Sequence, residues 1–147
     1  MITLEVTAGE LLDRLGILRL KLDRCTAGEQ RAQLKAAVER AQAVRRAARV
    51  EAPGLEALED ELAAINEALW NAEDEIRARE RDGDHGEAFV AVARAICRLN
   101  DRRAAVKRAV DRLCGFPEVD TKSYATERSG PSSFPVACAQ TPDPRRP

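Results

Sequence analysis

Aromatic side chains are almost missing from this sequence: one Trp, one Tyr and three Phe make up 3% of its 147 residues. That scarcity, with Ala, Leu, Glu and Arg abundant, is the profile of long helices and argues against sheets. Histidine occurs once, at His85, and the four cysteines, Cys25, Cys97, Cys114 and Cys138, are scattered without a C-x-x-C pair. These counts leave no zinc site of ordinary spacing. A disulfide from Cys25 to a cysteine of the last helix would need those helices to touch, so free thiols are expected.

A charge of one sign is missing too. Lys and Arg number 24 and Asp and Glu 25, so no global field draws the chain to nucleic acid or an anionic membrane. No run approaches the ~20 apolar residues of a membrane span, and the opening MITLEVTAGE has neither a basic leader nor an apolar core, which points to a cytoplasmic protein. Phosphate-cradling Gly-rich loops, dinucleotide fingerprints and nucleophiles beside an activating base are absent, and no solenoid repeat is present. No cofactor or metal is expected.

What is there is 44% hydrophobic and 33% charged residues, enough chain for one domain with a real core. The expected fold is all-α: a single domain over residues 1–124, a bundle of about four helices after a short extended N-terminus. A Pro/Ser-rich tail over 125–147 is expected to be disordered, having too few apolar residues to offset chain entropy.

Ile2, Leu4 and Val6 alternate with polar residues, as in an edge strand. Thr7 and Glu10 then form a capping box, and Leu11, Leu15, Leu18 and Leu22 mark one face of a helix running to about Cys25, widened by Leu12 and Leu20. Thr26 and Glu29 repeat the box and start a second helix at Ala27, with Leu34, Val38, Ala41 and Val44 on its better face. Pro53 opens the third helix in its first turn. There Leu55, Leu58, Leu62, Ile65, Leu69, Ala72 and Ile76 keep a strict three-four alternation, the pattern of a coiled-coil seam. Asp82 to Gly86 is a turn. Phe89, Val92, Ile96, Leu99, Val106, Val110 and Leu113 hold one face of the fourth helix, interrupted at the core-facing Arg103, until Gly115 and Pro117 end it.

Beside these seams runs a polar stripe. Asn66, Trp70, Glu73 and Arg77 are spaced by four, three and four on the third helix, with Asp74 adjacent. Asn100, Arg103 and Lys107 match them on the fourth, with Asp101 and Arg102 alongside. Asn and Asp are poor helix-interior residues, so the pair at 100 and 101 costs helix stability without serving a core. One reading is structural: Glu73, Asp74 and Arg77 pair with Arg102, Arg103 or Lys107 to fix helix register. The other is functional: cations, an amide and a Trp face a cleft suited to an anionic ligand.

The stretches TAGELLDRLGILRLK (7–21), NEALWNAEDEIR (66–77), NDRRAAVKR (100–108) and DTKSY (120–124) together resemble a bacterial family of small helical proteins classed as a domain of unknown function. The resemblance spans about residues 1–125. It implies Glu10, Asp13, Lys21, Asn66, Trp70, Glu73, Asp74, Arg77, Asn100, Asp101, Arg103, Lys107, Lys122 and Tyr124 as pattern positions, and a setting in cell-surface polysaccharide assembly. Arg14, Gly16 and Asp120 stand where the pattern has Lys, Thr and Glu. Lys122 and Tyr124 lie beyond Pro117, so that segment is expected to fold back as a lid.

Two functions fit. One is a binding module for an anionic small molecule or a protein partner, with a homodimer through the third helix's seam as one form. The other is an enzyme on an anionic carboxylate or phosphate metabolite, with Glu73 or Asp74 as base and Arg77, Arg103 and Lys107 as clamps. Arg14, Lys21 and Arg24 resemble the cations of helical chorismate mutases, and Glu56 and Glu59 supply half of the magnesium motif of helical pyrophosphatases. Neither match goes further.

Overall fold

A computed structural model describes residues 4–117. Among these residues there are four helices: α1 (Ala8–Arg24), α2 (Gly28–Ala47), α3 (Leu55–Asp82) and α4 (Glu87–Cys114). No strand is present among the described residues, and Leu4 and Val6 run extended and unpaired, 80% and 49% exposed.

The capping boxes form only in part. The Thr7 hydroxyl accepts from the Glu10 N–H at 3.4 Å, but the Glu10 carboxylate turns to Lys107 of α4 instead of back to the cap. A second early amide, Gly9 N–H, donates to the buried Asp111 carboxylate at 2.6 Å. An anionic group from α4 thus meets the positive end of α1. At α2 the N-cap is Ala27, without a side-chain cap, because Thr26 stands one residue too early. The neighbouring helix end is served by Arg31, which donates to the carbonyls of Leu22 and Cys25 at 2.7 and 3.1 Å.

Pro53 does not lie in the first turn of α3, as its spacing suggested. It forms a tight turn with Gly54, whose φ of 84° sets the N-cap. Before it, Arg49 adopts φ 51° and lets the Val50 N–H return to Arg45. Arg45 holds this bend through the Val50 carbonyl (3.2 Å) and an ion pair with Glu59 of α3. The turn from α3 to α4 and the stop at Gly115 follow the sequence: Gly83 and Gly115 take left-handed conformations at 69° and 73°.

With so short a turn, α3 and α4 form an antiparallel hairpin of 28-residue helices, each ~42 Å long at 1.5 Å per residue. The 17-residue α1 lies against both, and α2 packs on the remaining side of α1. Since α1 spans only ~25 Å, it covers one end of the hairpin. There Leu11, Leu12 and Leu15 meet Leu55, Leu62, Ile65, Leu69, Val106 and Val110, with Val38, Ala41 and Val50 closing the side. From Trp70 through Ala105 no residue is buried. The strict α3 seam from Leu55 to Leu69 is therefore largely spent inside the chain's own core, and Ala72 and Ile76 alone continue it outward.

Candidate functional site

The charged interruption of α4 explains itself first. Arg103 faces the core, where a guanidinium needs a carboxylate and full hydrogen bonding. Asp13 of α1 provides it. Arg103 Nε donates to both Asp13 oxygens at 3.1 and 3.0 Å and Nη2 adds a 2.8 Å bond, while Asn66 Nδ2 donates to the same carboxylate at 2.9 Å. Asp13 and Asn66 are 3% and 5% exposed. One acid thus ties α1, α3 and α4 at one level, and the adjacent pairs Glu10 with Lys107 and Gly9 with Asp111 extend the ladder toward the start of α1.

Above this tie, on the side where α1 ends, is a cavity of about 230 Å³. Its floor is Arg103, Asn66 and Leu69. One wall comes from Ile17, Leu20 and Lys21 of α1, the other from Trp70, Glu73, Asp74 and Arg77 of α3. The four-three-four spacing on α3 is what aims Asn66, Trp70, Glu73 and Arg77 at one strip. Trp70 is braced by Arg24, whose guanidinium lies 5.1 Å from the ring centre and is held by Glu67 and Asn71 at 3.2 and 3.4 Å, a cation–π arrangement. Arg77 pairs with Glu73 at 3.0 Å, both largely in solvent. Lys21 and Asp74 are exposed, and neither makes an ion pair or side-chain hydrogen bond among the described residues.

Seven of the sequence candidates, Lys21, Asn66, Trp70, Glu73, Asp74, Arg77 and Arg103, therefore share one pocket. Three others do not. Lys107 is spent on Glu10. Asn100 Nδ2 donates to the Ile96 carbonyl of its own helix at 3.1 Å, and Asp101 is exposed without a partner among the described residues. Lys122, Tyr124 and the 125–147 tail lie outside the described residues, and so does the lid expected there.

The anticipated ion-pair network is also differently wired. Arg103 takes Asp13, Lys107 takes Glu10, and Arg102 takes Glu61 at 2.8 Å, so none of these three cations pairs with Glu73 or Asp74. Of the acids that organise the site's foundation, Asp111 was missed by the sequence, and Glu10 and Asp13 entered only as pattern positions of the resemblance, with no partner or role. The signal for two of them was present: Arg103 and Lys107, four apart on α4, require two acids at similar spacing, and Glu10 and Asp13 on α1 are three apart.

A larger groove of about 850 Å³ lies between Leu4, Val6 and the end of α4, walled by Ala104, Phe116 and Pro117. It is mainly apolar, and Lys107 is the one sequence candidate on it. Two titratable groups outside these two cavities are shifted. Burial, then the nearby Asp111 carboxylate, pushes the Cys114 thiol up; the hydrogen bonds that Arg79 donates to Glu75, opposed by desolvation and aided by Asp84, raise the Arg79 pKa. Cys25, Cys97 and Cys114 are free thiols. Among the described residues no three His, Cys, Asp or Glu side chains converge as metal ligands, and no helix is long and apolar enough to cross a membrane.

The small pocket combines a fixed polar floor, a braced aromatic wall and charged side chains at its rim. No curated protein and no solved structure matches the chain. Residues 2–139 match the model of a family of unknown function (DUF6165), and the chain belongs to that family.

Proposed function

We propose that the chain is a helical binding module that takes the anionic group of a small molecule, or of a protein partner, in the pocket between α1 and α3. The observation that carries this reading is Lys21, a cation on the pocket wall with no ionic partner among the described residues. Arg77 stands across from it. Its surface pair with Glu73 contributes at most ~1 kcal/mol, so a ligand carboxylate or phosphate can replace Glu73 and gain a bidentate contact. Arg103 is not free to help, because Asp13 holds it.

At about 230 Å³ the space is below the ~300–1,000 Å³ of drug-sized sites. It suits a small metabolite or one side chain of a partner, a second copy of the chain included. The enzyme reading asks for more, since Glu73 is engaged with Arg77 and a base must also be aimed at a substrate proton. We place the module in the bacterial cytoplasm, in the polysaccharide-assembly setting that the resemblance implies. A thermal-shift titration with inorganic phosphate, succinate and glucuronate tests the site. At least one should raise the unfolding temperature of the native chain and not that of Lys21→Ala; an equal shift in both would remove the site from this pocket.

A further inference from the structure

We infer that the ligand of this pocket carries a cationic group as well as its anionic one, joined by a short apolar stem: a small zwitterion of the amino-acid type. This rests on the reading that the pocket is a recognition site, and it narrows the ligand class.

The charges of the site balance. Lys21, Arg77 and Arg103 stand against Glu73, Asp74 and the Asp13 carboxylate behind the floor. Two of the three cations are already matched, Arg103 by Asp13 and Arg77 by Glu73, and a ligand anion that displaces Glu73 from Arg77 sets that carboxylate free, so the balance of the site is unchanged. What remains is one cation and one carboxylate, Lys21 on the α1 wall and Asp74 on the α3 wall, which line the same cavity without pairing. A ligand bearing only an anion would satisfy Lys21 and bring its charge up to Asp74, and a ligand bearing only a cation would do the reverse. Like charges disfavour both, and specificity arises from such repulsion as much as from attraction. A ligand with both groups satisfies both walls.

Besides its charged groups and Asn66, the pocket is lined by apolar side chains. Leu20 and Ile17 are half-buried, Leu69 is 5% exposed, and the braced Trp70 ring completes the strip. A methylene chain fits that surface, and the small volume limits its length.

Trp70 is the only Trp of the chain, so its fluorescence reports the site directly. The full chain is titrated at constant ionic strength with ω-amino acids from β-alanine to 6-aminohexanoate, with the carboxylates of the same lengths, and with the corresponding alkylammonium ions. The tightest amino acid should bind at least ~10-fold more strongly than its matched carboxylate or ammonium ion. Asp74→Asn should bring that preference to within ~3-fold while leaving carboxylate binding in place, and Lys21→Ala should abolish both, with circular dichroism unchanged in each. If carboxylates bind as tightly as amino acids and Asp74→Asn changes nothing, the zwitterion inference is overturned and the anion site stands. If no member of the three series perturbs Trp70, both fall.

Discussion

The two ends of the α3–α4 hairpin use the same apolar spacing, yet they are packed differently. At the end covered by α1, Leu62, Ile65 and Val110 are 2%, 3% and 0% exposed. Toward the turn, Ile76, Phe89 and Val92 occupy equivalent positions and none is buried. A two-helix ribbon can only half-cover its own seam; burial needs a third element, and α1 is too short to supply it along the whole length. The polar residues divide the same way. Where α1 is tight, Asp13, Arg103 and Asn66 satisfy one another in the interior. Where α1 ends, Lys21, Trp70, Glu73, Asp74 and Arg77 face a space. The pocket is the place where packing gives way to an open ribbon.

The contrast is sharpest at the buried carboxylate. Asp13→Ala leaves Arg103 and Asn66 without their acceptor and should cost ~3–5 kcal/mol in chemical denaturation; a cost under ~1 kcal/mol would mean that the tie is not what holds α1. The seam gives the next test. Leu62→Ala in the packed end should cost ~2–5 kcal/mol, whereas Ile76→Ala in the open end should cost ~1 kcal/mol or less. Equal losses would show that the outer ribbon is covered in solution.

Two glycines of α1 divide along the same line with opposite signs. A Cβ at Gly9 would collide with the Lys107 carbonyl of α4, but a Cβ at Gly16 would sit 3.6 Å from Asn66 Nδ2, an ordinary contact. Gly9→Ala should destabilise by ~1–3 kcal/mol. Gly16→Ala should stabilise by ~0.5–1 kcal/mol, since Ala is the better helix former and nothing is displaced. The smallest effect concerns the thiols. Burial raises the Cys114 pKa and shields its thiol, whereas Cys97 is exposed. Disulfide-reagent labelling should therefore be slower at Cys114 near neutral pH, the gap closing as pH rises through the Cys114 pKa.

The number, order and approximate limits of the four helices were legible, because the apolar repeats are separated by a second capping signal at Thr26, the Pro53–Gly54 pair, the turn from Asp82 to Gly86 and the stop at Gly115. The α3 strip was legible too: residues at four-three-four spacing on one helix must share a face. What one sequence could not give was the pairing between helices. The acids Glu73 and Asp74 were equally good partners for Arg103 on charge alone. Only the placement of α1 in the hairpin's groove, tight enough to need Gly9 beneath the Lys107 carbonyl, selects Asp13. Likewise Asn100 and Asp101 looked purposeful as poor helix residues, but Asn100 bonds its own helix, a local solution that spacing does not distinguish from a site.

A structural tie, Asp13 with Arg103, thus lies beside the proposed recognition rim led by Lys21. Two pairs of curves test that separation: thermal unfolding of Lys21→Ala and of the native chain, each with and without the ω-amino acid that binds the native chain most tightly. The expected result is an unfolding midpoint unchanged without ligand and a ligand-induced shift present only in the native chain. A midpoint lowered by several degrees, or a shift that survives the substitution, would contradict it.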